Sequence, residues 1–230
     1  MELWEACNDG KVEQVKILLQ NPLISTNWRE SEHLRTPFFV ACYKGHIEIV
    51  KLLLDIKRVD ASRANKYGQT PFYIACREGH TEIVKLLLND WRVEINEGDK
   101  YGRTSFYIAC QFGRTEIAKL LLNDKRVIDI QNDGRTSFYI ACREGHIDIV
   151  KLLLNDERVD INKADNDGWT PFYVACTKNH TEIVKLLLNH KRISIRKKTN
   201  YGKTAIDIAK EEKHSNIVKL IKEFDTGNHC

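Results

Sequence analysis

One phrase recurs along this chain about every 34 residues: TPFFVACYKGHIEIVKLLL from Thr36, TPFYIACREGHTEIVKLLL from Thr70, TSFYIACQFGRTEIAKLLL from Thr104, TSFYIACREGHIDIVKLLL from Thr136 and TPFYVACTKNHTEIVKLLL from Thr170. A worn copy, LWEACNDGKVEQVKILL, starts at Leu3, and a polar one, TAIDIAKEEKHSNIVKLI, starts at Thr204. Self-similarity at this period implies a solenoid, in which each unit is one supersecondary element that buries its apolar face only against its neighbours. Seven units account for almost every residue. The expected arrangement is one domain over 1–230, with repeats near 1–30 (an N-terminal cap), 31–64, 65–98, 99–130, 131–164, 165–198 and 199–230 (a C-terminal cap).

Within a unit the local signals are consistent. Thr70 caps free backbone donors and Pro71 suits the first helical position, so PFYIACRE reads as a short helix. Gly79 ends it, as do Gly10, Gly45, Gly113 and Gly145, and Asn179 takes that place in the sixth copy. A second helix, TEIVKLLLN, follows with Ile83, Val84, Leu87 and Leu88 on one broad apolar face. The remaining stretch, DWRVEINEGDKYGR, reads as a projecting loop or hairpin. The fold class is all-α, a solenoid of helix-turn-helix pairs. Glu5 stands where inner copies carry Val40 or Ile74, and Lys210, Glu211, Glu212 and Lys213 stand at the exit of the last first helix; both read as polar terminal caps.

Composition narrows the function classes. Hydrophobic residues at 42% and charged ones at 30% suit a folded chain, and a net charge of +4 does not by itself imply nucleic acid. MELWEACNDG has no leader pattern and IVKLLL is too short to span a bilayer, so a cytoplasmic or nuclear monomer, with no membrane contact, is expected. Six cysteines (Cys7, Cys42, Cys76, Cys110, Cys142, Cys176) share one place in the repeat, which reads as a small buried packing position rather than a disulfide or zinc pattern; Cys230 reads as an incidental thiol. His46, His80, His146, His180 and His214 recur in the same way, with Arg114 replacing His once. A recurring histidine is a structural position rather than a metal or acid/base site. Phosphate-loop, dinucleotide, zinc-protease and hydrolase motifs are absent, so no enzyme, cofactor or metal is expected.

The Gly turn, TPxxxA, GHxEIVKLLL and the trailing DIN of Asp160 to Asn162 resemble the ankyrin repeat over essentially the whole chain. Tetratricopeptide repeats share the period, but theirs are longer helices with short turns, whereas roughly 15 residues of each unit here are neither helix. Three departures stand out. An aromatic pair such as Phe72 and Tyr73 replaces Leu-His, a segment such as NDERV lengthens the loop, and Asp124 to Gly134 is two residues shorter than its counterparts. The stretches ending at Asn96 and Asn162 also resemble sites hydroxylated on Asn in this family, the alternative being an Asn that only ties the loop together.

The resemblance implies that exposed positions differing between copies line a partner-binding groove. These are Lys66, Tyr67, Gln69 and Arg77 in one copy; Lys100, Tyr101, Arg103, Gln111 and Phe112 in the next; then Asn132, Asp133, Arg135, Arg143 and Glu144. Asp167, Trp169 and Lys178 follow, with Tyr201 and Lys203 last. With Arg35, Lys44 and Glu78 included, the set holds ten basic residues against four acidic ones, a larger surplus than that of the whole chain. Interleaved aromatics complete a hot-spot composition, with Trp169 and Phe112 the expected anchors. A non-catalytic module binding a protein or peptide of acidic and apolar character is therefore expected. Nucleic-acid binding through the same basic and aromatic track, or a structural spacer, are the alternatives.

Overall fold

The computed structural model describes every residue except 128, 130–132 and 228–230. Among the described residues there are fourteen helices and no strand, two helices per copy: α1 (Glu2–Asn8), α2 (Val12–Leu19), α3 (Pro37–Lys44), α4 (Ile47–Leu54), α5 (Pro71–Glu78), α6 (Thr81–Leu88), α7 (Ser105–Gln111), α8 (Thr115–Asn123), α9 (Ser137–Glu144), α10 (Ile147–Leu154), α11 (Pro171–Thr177), α12 (Thr181–Leu188), α13 (Ala205–Glu211) and α14 (Ser215–Gly227). The contacts gather into two compact units, Met1–Ala109 with Glu116–Ile128, and Cys110–Thr115 with Asp129–Cys230. In the first, α1, α3 and α5 pack in sequence while α2, α4 and α6 form a second layer. In the second, α9, α11 and α13 form one layer and α10, α12 and α14 the other.

The first helices start as the sequence predicts. Thr36, Thr70, Thr136 and Thr170 each accept a hydrogen bond from the backbone N–H three residues on. Thr70→Ala is expected to lower stability by about 1 kcal/mol, read from a denaturant midpoint; an unchanged midpoint would show the cap to be dispensable. In the last copy Asp207 stands where inner copies carry an aromatic, and it closes a capping box with Thr204.

The recurring Gly-His pair is an inter-repeat joint. Gly145 ends α9 at φ +84°, in the left-handed region, and its lack of a Cβ leaves room for the His180 ring of the following copy, whose Cε1 lies 2.7 Å from where a Cβ would be. His180 Nε2 donates to the Arg143 carbonyl at 2.9 Å; His80 to Tyr43 and His146 to Gln111 repeat the bond. Asn179 supplies the internal control. It adopts φ +60°, and the next histidine, His214, now bonds through Nδ1 to the Cys176 carbonyl, one residue earlier than in the other copies. Where a side chain replaces the glycine hydrogen, the joint uses the other ring nitrogen and another carbonyl.

The six cysteines of the repeat are buried. Burial pushes the Cys7 thiol up to about 12 and the others up as well, which leaves them as packing groups without nucleophilic character. Cys230 lies outside the described residues.

The long loop is also a joint. In NDWRV, Asp90 holds Arg92 at 2.5 Å, and Arg92 Nη2 donates to the Leu54 carbonyl at 2.7 Å, at the C-terminal end of α4. Asp124 and Arg126 do the same to Leu88 at the end of α6. A cation is thus fixed where a helix leaves its last carbonyls unsatisfied. Asparagines add a second tie: Asn27 Nδ2 donates to Arg58 O, Asn96 to Arg126 O and Asn162 to Arg192 O, and Asn162 Oδ1 accepts from Ser194 N. Much of the shortened segment falls on residues 128 and 130–132, outside the described ones. Within it, Asp129 accepts from both N–H and Oγ of Ser137, the residue that replaces Pro there.

Candidate functional site

The turns before each first helix carry most of the candidate residues, and each turn is built around a buried polar group. Asp99 is 6% exposed. Its Oδ1 accepts the N–H groups of Tyr101 and Arg103, while Oδ2 accepts from Arg103 Nε at 2.8 Å, Arg103 Nη2 at 2.6 Å and the Tyr73 hydroxyl at 3.0 Å. The turn of one copy is thereby locked to the first helix of the preceding copy. Burial alone would raise the Asp99 pKa, but the Arg103 guanidinium and the two N–H donors outweigh it and hold the carboxyl below its usual range.

Asp165 repeats the design in the second unit. It accepts from Tyr139 Oη at 3.1 Å and lies 3.5 Å from Arg135 Nε, which also pairs with Asp133. Arg103 and Arg135 therefore belong as much to the scaffold as to the surface, a role the sequence reading did not assign. The signal was present: an Asp follows the helix Tyr by 26 residues in both copies. The second aromatic of the pair in α5 and α9 thus does more than fill volume, since the Tyr73 and Tyr139 hydroxyls each anchor the next turn.

Other candidate cations are paired with carboxylates, some outside the set and some within it. Lys203 pairs with Glu211, Arg35 with Glu30, Arg77 with Glu78 and Arg143 with Glu144. Glu30, Asp99, Asp165 and Glu211 were absent from the charge count, and adding them reduces the surplus of six to two. Lys44, Lys66, Lys100 and Lys178 form no ion pair among the described residues. Lys44 and Lys66 lie over the rings of Tyr43 and Tyr67.

Successive turns are joined by main-chain bonds. Lys100 N donates to Tyr67 O at 3.0 Å in the first unit, and Asn200 N to Asp167 O at 3.0 Å in the second. In the first unit this leaves Tyr67 (47% exposed) and Tyr101 (75%) standing out from adjacent tips. In the second, Tyr201 is equally prominent and Phe112 is exposed. Trp169 is half-buried: its ring stacks on Tyr173 with centroids 5.3 Å apart, and its indole N–H is buried with no hydrogen-bond partner. Gln69 is half-buried and accepts from Asn65. Gln111 is half-buried beneath its neighbour's histidine bond, Asp133, Glu144, Asp167 and Lys178 are exposed, and Asn132 lies outside the described residues.

The family model described as "Ankyrin repeats (3 copies)" matches residues 3–99, 91–165 and 157–228. The chain belongs to the ankyrin-repeat family. No curated protein matches it. Ankyrin repeats are generally protein–protein interaction modules, so the tips and first-helix exits of this ankyrin chain are the surface to weigh.

Hollows also mark the ankyrin surface. One of about 140 Å³ sits beside Tyr67, Gln69 and Arg77, and His33, Phe39 and Asn65 in its wall were not among the expected site residues, although His33 holds the repeat position of Tyr67 and Tyr101. A larger one, about 560 Å³, lies between α13 and α14, rimmed by Lys210, Lys213, Lys219 and Lys222. Lys210 and Lys213 stand where inner copies place a buried Cys and a Gly, which makes this face polar. Trp91, on the loop after α6, is 89% exposed and was not among the expected residues. Among the described residues no helix is long and apolar enough to cross a membrane, and no three His, Cys, Asp or Glu side chains could hold a metal ion.

Proposed function

We propose that this ankyrin chain is a non-catalytic binding module whose turn tips and first-helix exits hold a protein or peptide of acidic and apolar character. The observation that carries this reading is the pairing of exposed aromatic tips with lysines that have no acidic partner among the described residues, namely Tyr67 and Tyr101 beside Lys66 and Lys100. Such side chains supply apolar contact area at small entropic cost, and the lysines favour an anionic segment across them. The Tyr67 and Tyr101 side chains are exposed, so truncating them is expected to cost little stability.

The test is a double substitution, Tyr67→Ala with Tyr101→Ala. A partner captured from the native source and identified by mass spectrometry is expected to bind the variant at least about tenfold more weakly, a loss of about 1.4 kcal/mol, while the melting temperature stays within about 2 °C. Undiminished binding would remove these tips from the site. Nucleic-acid binding, the alternative, is less favoured now that Arg103, Arg135 and Lys203 are seen to be held by carboxylates. It predicts oligonucleotide affinity that survives at physiological salt and falls steeply as salt is raised.

A further inference from the structure

One repeat junction is built differently from its neighbours. Tyr73, Asp99 and Arg103 form a hydrogen-bonded set across the junction that follows α5. One copy earlier the same three positions carry Phe39, Asn65 and Gln69. Phe39 has no hydroxyl to donate. Asn65 turns its side chain back on its own turn: Oδ1 accepts from Tyr67 N and Gln69 N, and Nδ2 donates to Gln69 Oε1. No guanidinium lies where Arg103 lies in the next copy, and a cavity of about 140 Å³ opens there.

We propose that this cavity takes one aspartate or glutamate side chain of a bound acidic peptide and is the anchor point of the binding surface. The proposal rests on the reading that the partner lies across the turn tips. At about 30 Å³ per water the space equals some four or five waters, room for a carboxylate with its methylene. Its wall supplies the matching donors. Glu30 occupies Nε of Arg35 at 2.9 Å and the guanidinium lies over the Trp4 ring, while its two Nη groups make no hydrogen bond among the described residues. Arg77, whose Nη1 lies 3.7 Å from Glu78, lines the same cavity, and a guanidinium fork fits a carboxylate in bidentate fashion. His33 Nδ1 is buried with no hydrogen-bond partner. An apolar occupant would cover His33 Nδ1 and the Arg35 Nη groups without satisfying them, which is costly. Tyr43 and Tyr67 flank the opening with Lys44 and Lys66 above their rings, so an anion enters past cations and its apolar neighbour meets the aromatic faces.

Amide NMR on the full chain tests this with small probes: N-acetylaspartate methylamide, its asparagine counterpart and inorganic phosphate. The aspartate probe is expected to give saturable shifts at the Tyr67 and Gln69 amides and the Asn65 side-chain amide, with none at Tyr101 or Arg103. A triple variant, Phe39→Tyr, Asn65→Asp and Gln69→Arg, installs the set used one copy later and leaves the net charge unchanged. It should bind at least about tenfold more weakly. Gln69→Arg alone adds a positive charge yet should also weaken binding, because the new side chain fills the space; this variant decides the matter if the triple one does not fold.

No saturable shift at this junction, an equal response to the asparagine probe, tighter binding of phosphate, or undiminished binding by the folded triple variant or by Gln69→Arg would each overturn the proposal. Because the probes need no partner, the two failures are distinguishable. Saturable aspartate binding with partner capture indifferent to Tyr67 and Tyr101 leaves the cavity standing and removes the wider surface, whereas the reverse pattern removes the cavity alone.

Discussion

Gly145→Ala is expected to cost about 3 kcal/mol, a large loss for one methyl group. Two terms contribute. An L-residue with a Cβ in the left-handed region costs about 1–2 kcal/mol, and the new methyl must displace the His180 ring, with loss of a hydrogen bond worth about 1 kcal/mol. The ring's Cε1 is only 2.7 Å from where that methyl would be. A double-mutant cycle separates the terms: in a His180→Ala background the same substitution should cost only the backbone term, because no ring remains to be moved. Denaturant midpoints supply the comparison, and an identical cost in both backgrounds would refute the joint. Asn179 marks the tolerable limit, since asparagine adopts this backbone more readily than alanine and the chain accepts a relocated His214 in exchange.

Asp99→Ala should be at least as damaging, at about 3–5 kcal/mol. The Arg103 guanidinium and the Tyr73 hydroxyl would lose their shared acceptor in a buried setting, and two N–H groups of the turn would lose theirs. The pH dependence follows from the same contacts. The folded carboxyl titrates below its unfolded value, so its contribution is fully present above about pH 4 and is lost as pH falls through the folded pKa. Glu30 behaves alike. Burial opposes its ionisation, but donors from His33, Arg35 and Glu32 hold its pKa down at about 2, so its stabilisation fades between its usual range and that value. Asp99→Asn keeps an acceptor without the charge and is expected to flatten the acid limb of a stability–pH curve. A variant limb as steep as the wild-type one would show that Asp99 is not the group being titrated.

Residues with local jobs were legible in the sequence, and residues with distant partners were not. Thr70 caps a helix three residues away and Gly145 ends one beside it, and such relations are written in adjacent letters. The buried cysteines were legible for a related reason, since their spacing is the repeat itself. Arg92 is different: NDWRV reads as a lengthened loop until its guanidinium is found on a carbonyl 38 residues earlier. Asn96 and Asn162 likewise tie one loop to the next across 30 residues.

The candidate surface was located by asking where copies differ, and that test finds the turn tips but cannot separate free charges from spent ones. Arg103 and Lys100 stand in one turn and look equivalent as letters. One is held by a buried carboxylate and the other is in solvent. The cavity beside Phe39 was missed for a further reason. It is produced by the absence of a hydroxyl, a carboxylate and a guanidinium at three positions that come together only when one copy is laid on the next.

The sequence by itself determined the repeat, the two helices of each copy, their caps and the apolar stripes, because backbone rules of short range repeat identically in every copy. Only the tertiary structure decided which polar groups are satisfied, which histidine nitrogen is used, and where a junction stays open. Those outcomes depend on distances between residues 26 to 38 positions apart, and these distances exist only once neighbouring copies have packed.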